Sequence, residues 1–152
     1  MARILFVCSG NTCRSPLAAV LGRAVAADQA VGLEVASAGI SAVDGAPASG
    51  HAQTVAVALG GSLADHRSAR VSGGSLAAAD LVLTMTAAHR DALLAGWPAM
   101  ADRVLTLGEA AGFDQDVADP YGGSYEDYER TAAELGRLIR AAWPTISGRL
   151  GA

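Results

Sequence analysis

Cysteine is nearly absent from this chain: there are two in 152 residues, Cys8 and Cys13. That excludes a disulfide framework and fits reactive thiols in a reducing compartment. No cluster of cysteine and histidine surrounds them, so a structural zinc site has no support and no metal or other cofactor is expected. Long hydrophobic runs are missing too. The opening Ile4-Leu5-Phe6-Val7 is far short of a leader core or a membrane span, and later Ala/Val/Leu-rich stretches are broken by charge or glycine. A cytoplasmic chain without a membrane partner is therefore expected. Nor is there an excess of positive charge: the formal net charge of −4 argues against nucleic acid as a partner, because that needs basic patches.

What is present is 51% hydrophobic and 17% charged residues, enough for a sizeable core and a solvated surface. The length fits one domain over residues 1–152, and no repeat or long linker divides it. Short β-rich runs alternate with longer helical ones, which predicts an α/β fold with a parallel sheet covered by helices. Strands are expected at residues 3–7, 33–37, 80–85 and 103–107. The third is nearly continuous in apolar character, as befits a strand buried on both faces.

Leu17, Val20, Leu21, Ala24 and Val25 recur at three and four, predicting an amphipathic helix over 16–27 with Ser15 as its N-cap and Pro16 in its first turn. Ala132, Leu135, Leu138, Ile139 and Ala142 form a second stripe, and Ser124 with Asp127 suggests a capping box at its start. Segments 49–59 and 86–95 are further helical candidates. Gly60-Gly61 and Gly73-Gly74 read as turns.

The chemistry concentrates in Val7-Cys8-Ser9-Gly10-Asn11-Thr12-Cys13-Arg14-Ser15-Pro16, between the first strand and the first helix. An open α/β sheet places its ligand there. If residues 9–13 curl so that their N–H groups converge, they make an anion-binding nest at a helix N-terminus, which also favours a Cys8 thiolate. Arg14 adds a planar fork for paired bonds to phosphate oxygens. Gly10 is expected to supply a backbone angle or close approach that a side chain would block. A cysteine ending a strand is more often a packed core residue; the strand before, the Ser-Pro-helix after, and Asn and Gly inside favour the phosphate loop.

This segment resembles the phosphate-binding signature of the low-molecular-weight protein tyrosine phosphatase superfamily. Ser37-Ala38-Gly39, Asp65-His66-Arg67-Ser68 and Asp119-Pro120-Tyr121 follow in the family's order, so the resemblance covers about residues 3–142. It implies a three-layer doubly wound sheet of four parallel strands in the order 2-1-3-4. It also implies Cys8 as nucleophile, Arg14 as phosphate ligand and Asp119 as general acid; Asp114 and Asp116, close by in the sequence, are substitutes if the loop folds otherwise. Asn11, Ser15, Ser37 and His66 match a hydrogen-bond network behind the loop. His51 and His89 match nothing and are read as surface residues, and Trp97 and Trp143 as packing. Cys13 matches a position that can form a reversible disulfide with the nucleophile; a small packing residue is the equal alternative.

The implied activity is phosphate release from phosphorylated proteins through a phosphocysteine, by a monomer. Thr12, where tyrosine phosphatases of the family carry a bulky isoleucine, and Asp119-Pro120-Tyr121-Gly122-Gly123-Ser124 resemble the bacterial protein-arginine phosphatase branch. A hydroxyl at Thr12 suits a polar guanidinium, whereas Tyr121 matches one aromatic wall of a phosphotyrosine pocket. Phosphoarginine is thus the main reading and phosphotyrosine the alternative. An arsenate reductase would need cysteines after Cys13, and a mere phosphate-binding module would not need both Cys8 and Asp119.

Overall fold

The structure, a computed structural model, describes residues 1–151. Its strands are β1 (Ala2–Cys8), β2 (Leu33–Gly39), β3 (Leu81–Thr84) and β4 (Val104–Thr106). All pairs are parallel and the order is β2-β1-β3-β4, as expected. Because successive strand side chains point to opposite faces, β1 divides its apolar residues between two cores. Ile4, Phe6 and Cys8 face one cluster with Leu81 and Leu83, while Leu5 and Val7 face another with Val82 and Val104.

The first cluster is covered by α1 (Arg14–Asp28), α2 (Gly50–Ala58), α5 (Leu107–Ala111) and α6 (Tyr125–Leu150). The second is covered by α3 (Gly73–Ala78) and α4 (Ala87–Gly96), with Trp97 packed against it. Three layers result. On α6 the whole expected stripe is buried, and Ser124 and Asp127 form the expected capping box. Among the described residues no helix is long and apolar enough to cross a membrane.

Several expectations need correction. Ser15 is not an N-cap: α1 starts at Arg14, Cys13 is its N-cap, and Ser15 turns its hydroxyl to the phosphate loop instead. Nor is α1 amphipathic in the simple sense. Wedged between the sheet and α6, it buries Ala18, Ala19 and Ala26 beyond the expected stripe, while Ala24 is exposed. Gly73-Gly74 opens α3 behind a Ser72–Ser75 capping box rather than making a turn. The fourth strand stops before Leu107, because Thr106 and Glu109 form a capping box that starts α5. Asp80 lies outside β3 and accepts the Arg3 N–H through Oδ2 at 2.8 Å.

Glycine is indispensable at the end of β2. A Cβ on Gly39 would lie 2.5 Å from the Ser9 carbonyl oxygen, 2.9 Å from Ala42 Cβ and 3.0 Å from Asn11 N. The loop after β1 therefore rests on bare backbone. Gly39→Ala is expected to lower stability by about 1–3 kcal/mol through overpacking. It should also disturb the loop above it. Urea denaturation checks the first effect; an unchanged midpoint would mean that the loop yields freely.

Candidate active site

The turn after β1 has its left-handed residue at Asn11, with φ +56°. Gly10 has no such angle, and a Cβ there would come no closer than 3.7 Å to Thr12 Oγ1, so the expected special backbone angle is not found at Gly10. Asparagine tolerates this conformation, and here it is held on all sides. Asn11 Nδ2 donates to Ser15 Oγ at 2.8 Å and Ser37 Oγ at 2.9 Å, and Oδ1 accepts from Ala69 N at 2.9 Å. Its carbonyl oxygen lies 2.8 Å from His66 Nε2. Asn11, Ser15, Ser37 and His66, expected to support the loop, are thus in one network.

Cys8 Sγ sits at the centre, 2.9 Å from Ser15 Oγ and 3.3 Å from Asn11 N, which donates to it. Among the described residues, no hydrogen bond within the chain occupies the amides of Gly10, Thr12, Cys13, Arg14 and Ser15. The last two are the open first-turn amides of α1. Such a set of amides suits a multi-oxygen anion placed over the sulfur.

Arg14 is only 5% exposed. Its Nη1 donates to the Val117 carbonyl at 2.8 Å, and Nη2 lies 3.4 Å from Ser9 Oγ and 3.5 Å from Asp119 Oδ2. Asp119 is half exposed, and its Oδ1 accepts from Tyr121 N at 3.1 Å. Asp116 is occupied elsewhere, accepting the Ala87 N–H at 2.9 Å. Cys8, Gly10, Thr12, Cys13, Arg14, Asp119 and Tyr121 line one open cleft of about 200 Å³. That is below the roughly 300–1,000 Å³ that encloses a whole drug-sized ligand. The cleft grips a group, not a molecule.

Both cysteines are free thiols. Cys13 donates to Ser49 Oγ at 3.5 Å, and its sulfur lies 3.2 Å from the Tyr128 hydroxyl. Burial first, and then the bond to Cys13, push the Tyr128 hydroxyl up to about 12, so it stays protonated. His51 is exposed as expected, with its ring against Tyr125 and Tyr128.

His89 contradicts the expectation of a surface residue. It is buried, and its Nε2 lies 2.8 Å from Ser9 Oγ in the phosphate loop. A signal was available: His89 stands in the first turn after β3, at the carboxyl edge of a strand adjacent to β1. That edge is where open α/β sheets assemble sites.

The family model for low molecular weight phosphotyrosine protein phosphatase matches residues 3–147. A protein-arginine-phosphatase of Geobacillus stearothermophilus is 44% identical over 138 residues, 90% of each chain. A probable low molecular weight protein-tyrosine-phosphatase, EpsP, of Ralstonia nicotianae is 36% identical over 143 residues, 94% of each. Among solved structures, a cysteine-to-serine variant of YwlE arginine phosphatase with a phosphorylated active-site serine superposes with a TM-score of 0.90. It is 35% identical and covers 95% of each chain. With the sheet order, the loop after β1 and these similarities in agreement, the chain belongs to the low-molecular-weight protein tyrosine phosphatase family.

Proposed function

We propose that the chain is a protein phosphatase acting on phosphoarginine through a phosphocysteine intermediate. The observation that carries this reading is the convergence, in one small cleft, of the Cys8 sulfur, the Arg14 guanidinium and the Asp119 carboxyl group, beside a loop whose amides are open among the described residues. Cys8 attacks phosphorus as a thiolate, stabilised by the Ser15 hydroxyl and the Asn11 N–H. The S–P bond forms as the P–N bond to the substrate guanidinium breaks. Arg14 and the loop amides bind the equatorial oxygens, where charge builds. Asp119 gives its proton to the departing nitrogen, then takes one from the water that attacks the phosphocysteine. Phosphate leaves and the thiolate is restored. No step requires a metal.

Every group invoked comes from one chain, so a monomer suffices. A Cys8 that works as a thiolate fits a reducing compartment such as the cytoplasm. Cys13 borders the same cleft and is the candidate resolving partner if Cys8 is oxidised.

Two observations favour phosphoarginine. Thr12 brings a hydroxyl to the cleft wall, and after Tyr121 the rim continues as Gly122, with φ +79°, instead of a second aromatic. The relative at 44% identity carries the matching name. Phosphotyrosine remains the second reading, because the Tyr121 ring, 74% exposed at the rim, is free to pack on a phenyl group.

Phosphate release from a phosphoarginine peptide and a phosphotyrosine peptide, side by side, tests the substrate. A strong preference for phosphoarginine is expected, and Thr12→Ile should move selectivity toward phosphotyrosine. Preference of the unaltered chain for phosphotyrosine would overturn the substrate assignment and leave the mechanism standing. Cys8→Ser should abolish turnover and retain phosphate binding; appreciable residual turnover would remove Cys8 as nucleophile. With Asp119→Ala, the loss of kcat should be greatest for the most basic leaving groups. An equal loss across a series of aryl phosphates would exclude Asp119 as the acid.

A further inference from the structure

We propose that His89 is a positioning residue for phosphate binding: it fixes the Ser9 hydroxyl, which in turn sets the Arg14 guanidinium. The proposal rests on Arg14 as the phosphate ligand.

The N-terminus of α4 is where three parts of the site meet. Thr86 caps the helix by accepting the His89 N–H at 3.1 Å, which directs the His89 ring toward the phosphate loop. The Ala87 N–H holds Asp116, and Val117 N donates to the Met85 carbonyl at 2.9 Å. Val117 in turn offers its own carbonyl to Arg14 Nη1. One nitrogen of Arg14 is therefore held by backbone anchored at the end of β3. The other, Nη2, is shared between the Ser9 hydroxyl at 3.4 Å and Asp119 Oδ2 at 3.5 Å; among the described residues, His89 is the one side chain besides Arg14 that hydrogen-bonds the Ser9 hydroxyl.

Hydrogen-bond accounting sets the direction of this chain. Arg14 has no acceptor, so Ser9 Oγ must accept from it. His89 Nδ1 is buried without a hydrogen-bond partner among the described residues. An orphaned lone pair costs less than an orphaned N–H, which assigns the ring hydrogen to Nε2. Nε2–H then donates to Ser9 Oγ, and the hydroxyl oxygen is fixed by two donors. Burial first, and then the charge of Arg14, push the His89 pKa down to about 4, against the opposing pull of Asp116 and Asp119. The ring is neutral at ordinary assay pH and adds no cation to compete with Arg14.

The oxygen of Ser9 is 3.4 Å from Arg14, long for such a bond. A contact of this kind can tighten as the guanidinium closes on transition-state oxygens. The consequence should appear in kcat more than in KM.

The test compares Ser9→Ala, His89→Phe, His89→Gln and the Ser9→Ala/His89→Phe double variant, with an aryl phosphate as substrate and vanadate as inhibitor. Ser9→Ala and His89→Phe should each lower kcat by roughly tenfold with KM changed far less, and weaken vanadate by a similar factor. Because both act through one hydrogen-bond chain, the double variant should be no worse than either single one. His89→Gln, whose amide can reach Ser9, should recover most of the loss. If His89→Phe fails to fold, His89→Leu, alone and with Ser9→Ala, measures the coupling in its place. Losses that multiply in a double variant, or an unchanged kcat in Ser9→Ala, would overturn the proposal. Arg14→Lys separates the two layers: vanadate binding unaffected by it would overturn both the phosphate role of Arg14 and this inference. Vanadate weakened by Arg14→Lys, with the Ser9 and His89 variants unaltered, would overturn this inference alone.

Discussion

The site depends on a single side chain in a single unusual conformation. Asn11 holds φ at +56°, which a non-glycine residue adopts only at a cost, and that cost is offset by bonds at every polar atom it has. Its N–H reaches Cys8, its amide nitrogen reaches α1 and β2, its amide oxygen takes the Ala69 N–H, and its carbonyl faces His66. The residue thereby ties the loop to β2, to residues 66–69 and to the first turn of α1. With Asn11 so engaged, its neighbours' amides are left without a partner among the described residues. Glycine at the same position would relax the strain and lose the side-chain bonds. Aspartate would lose the two Nδ2 donations and bury a charge beside the Cys8 sulfur.

Gly39 works on the same constraint from below. Its missing side chain lets β2 come up against Ser9 and Asn11 at backbone distance, and Ser41 N and Ile40 N donate to the Ser9 and Cys8 carbonyls at 2.9 Å each. The carbonyls of Cys8 and Ser9 are therefore used on the sheet side, while the amides of Gly10, Thr12 and Cys13 stay unbonded among the described residues. This separation of donors from acceptors gives the cleft its positive lining. It follows from where β2 ends relative to β1, a matter of register in which Cys8 pairs with Gly39.

Local patterns carried much of this into the sequence. The strands, the α6 stripe with its Ser124 cap, and the Cys8-to-Arg14 spacing each express a rule spanning a few residues, and the network around Asn11 was accessible through resemblance. What escaped was decided by tertiary contact. Ser15 has the chemistry of a helix cap, but the buried sulfur of Cys8 offers its hydroxyl a partner in the interior. Ala18, Ala19 and Ala26 carry too little hydrophobic signal to mark a face, yet small size is what lets α1 lie close between sheet and α6. His89 lies 80 positions from Ser9, and only the parallel pairing of β3 with β1 brings the two together. The α5 cap was legible in Thr106 and Glu109, but the apolar Leu105 and Leu107 concealed it by extending the strand pattern.

The arrangement also explains why an anion should be drawn to this cleft rather than merely tolerated there. Arg14 is 5% exposed, and its one carboxylate neighbour among the described residues, Asp119, is 3.5 Å away and itself half in water. Neutral oxygens of Val117 and Ser9 supply its other bonds. A cation so far removed from water and so loosely paired is incompletely solvated by the protein, and the deficit grows with burial. The open amides of the loop and of the α1 first turn add positive potential on the same side. An incoming phosphoryl group satisfies both at once, and in doing so it competes with Asp119 for Arg14. Protonation of Asp119 removes that competition. In the proposed mechanism, the protonated form of Asp119 that serves leaving-group departure is therefore also the form that leaves Arg14 free to bind the substrate.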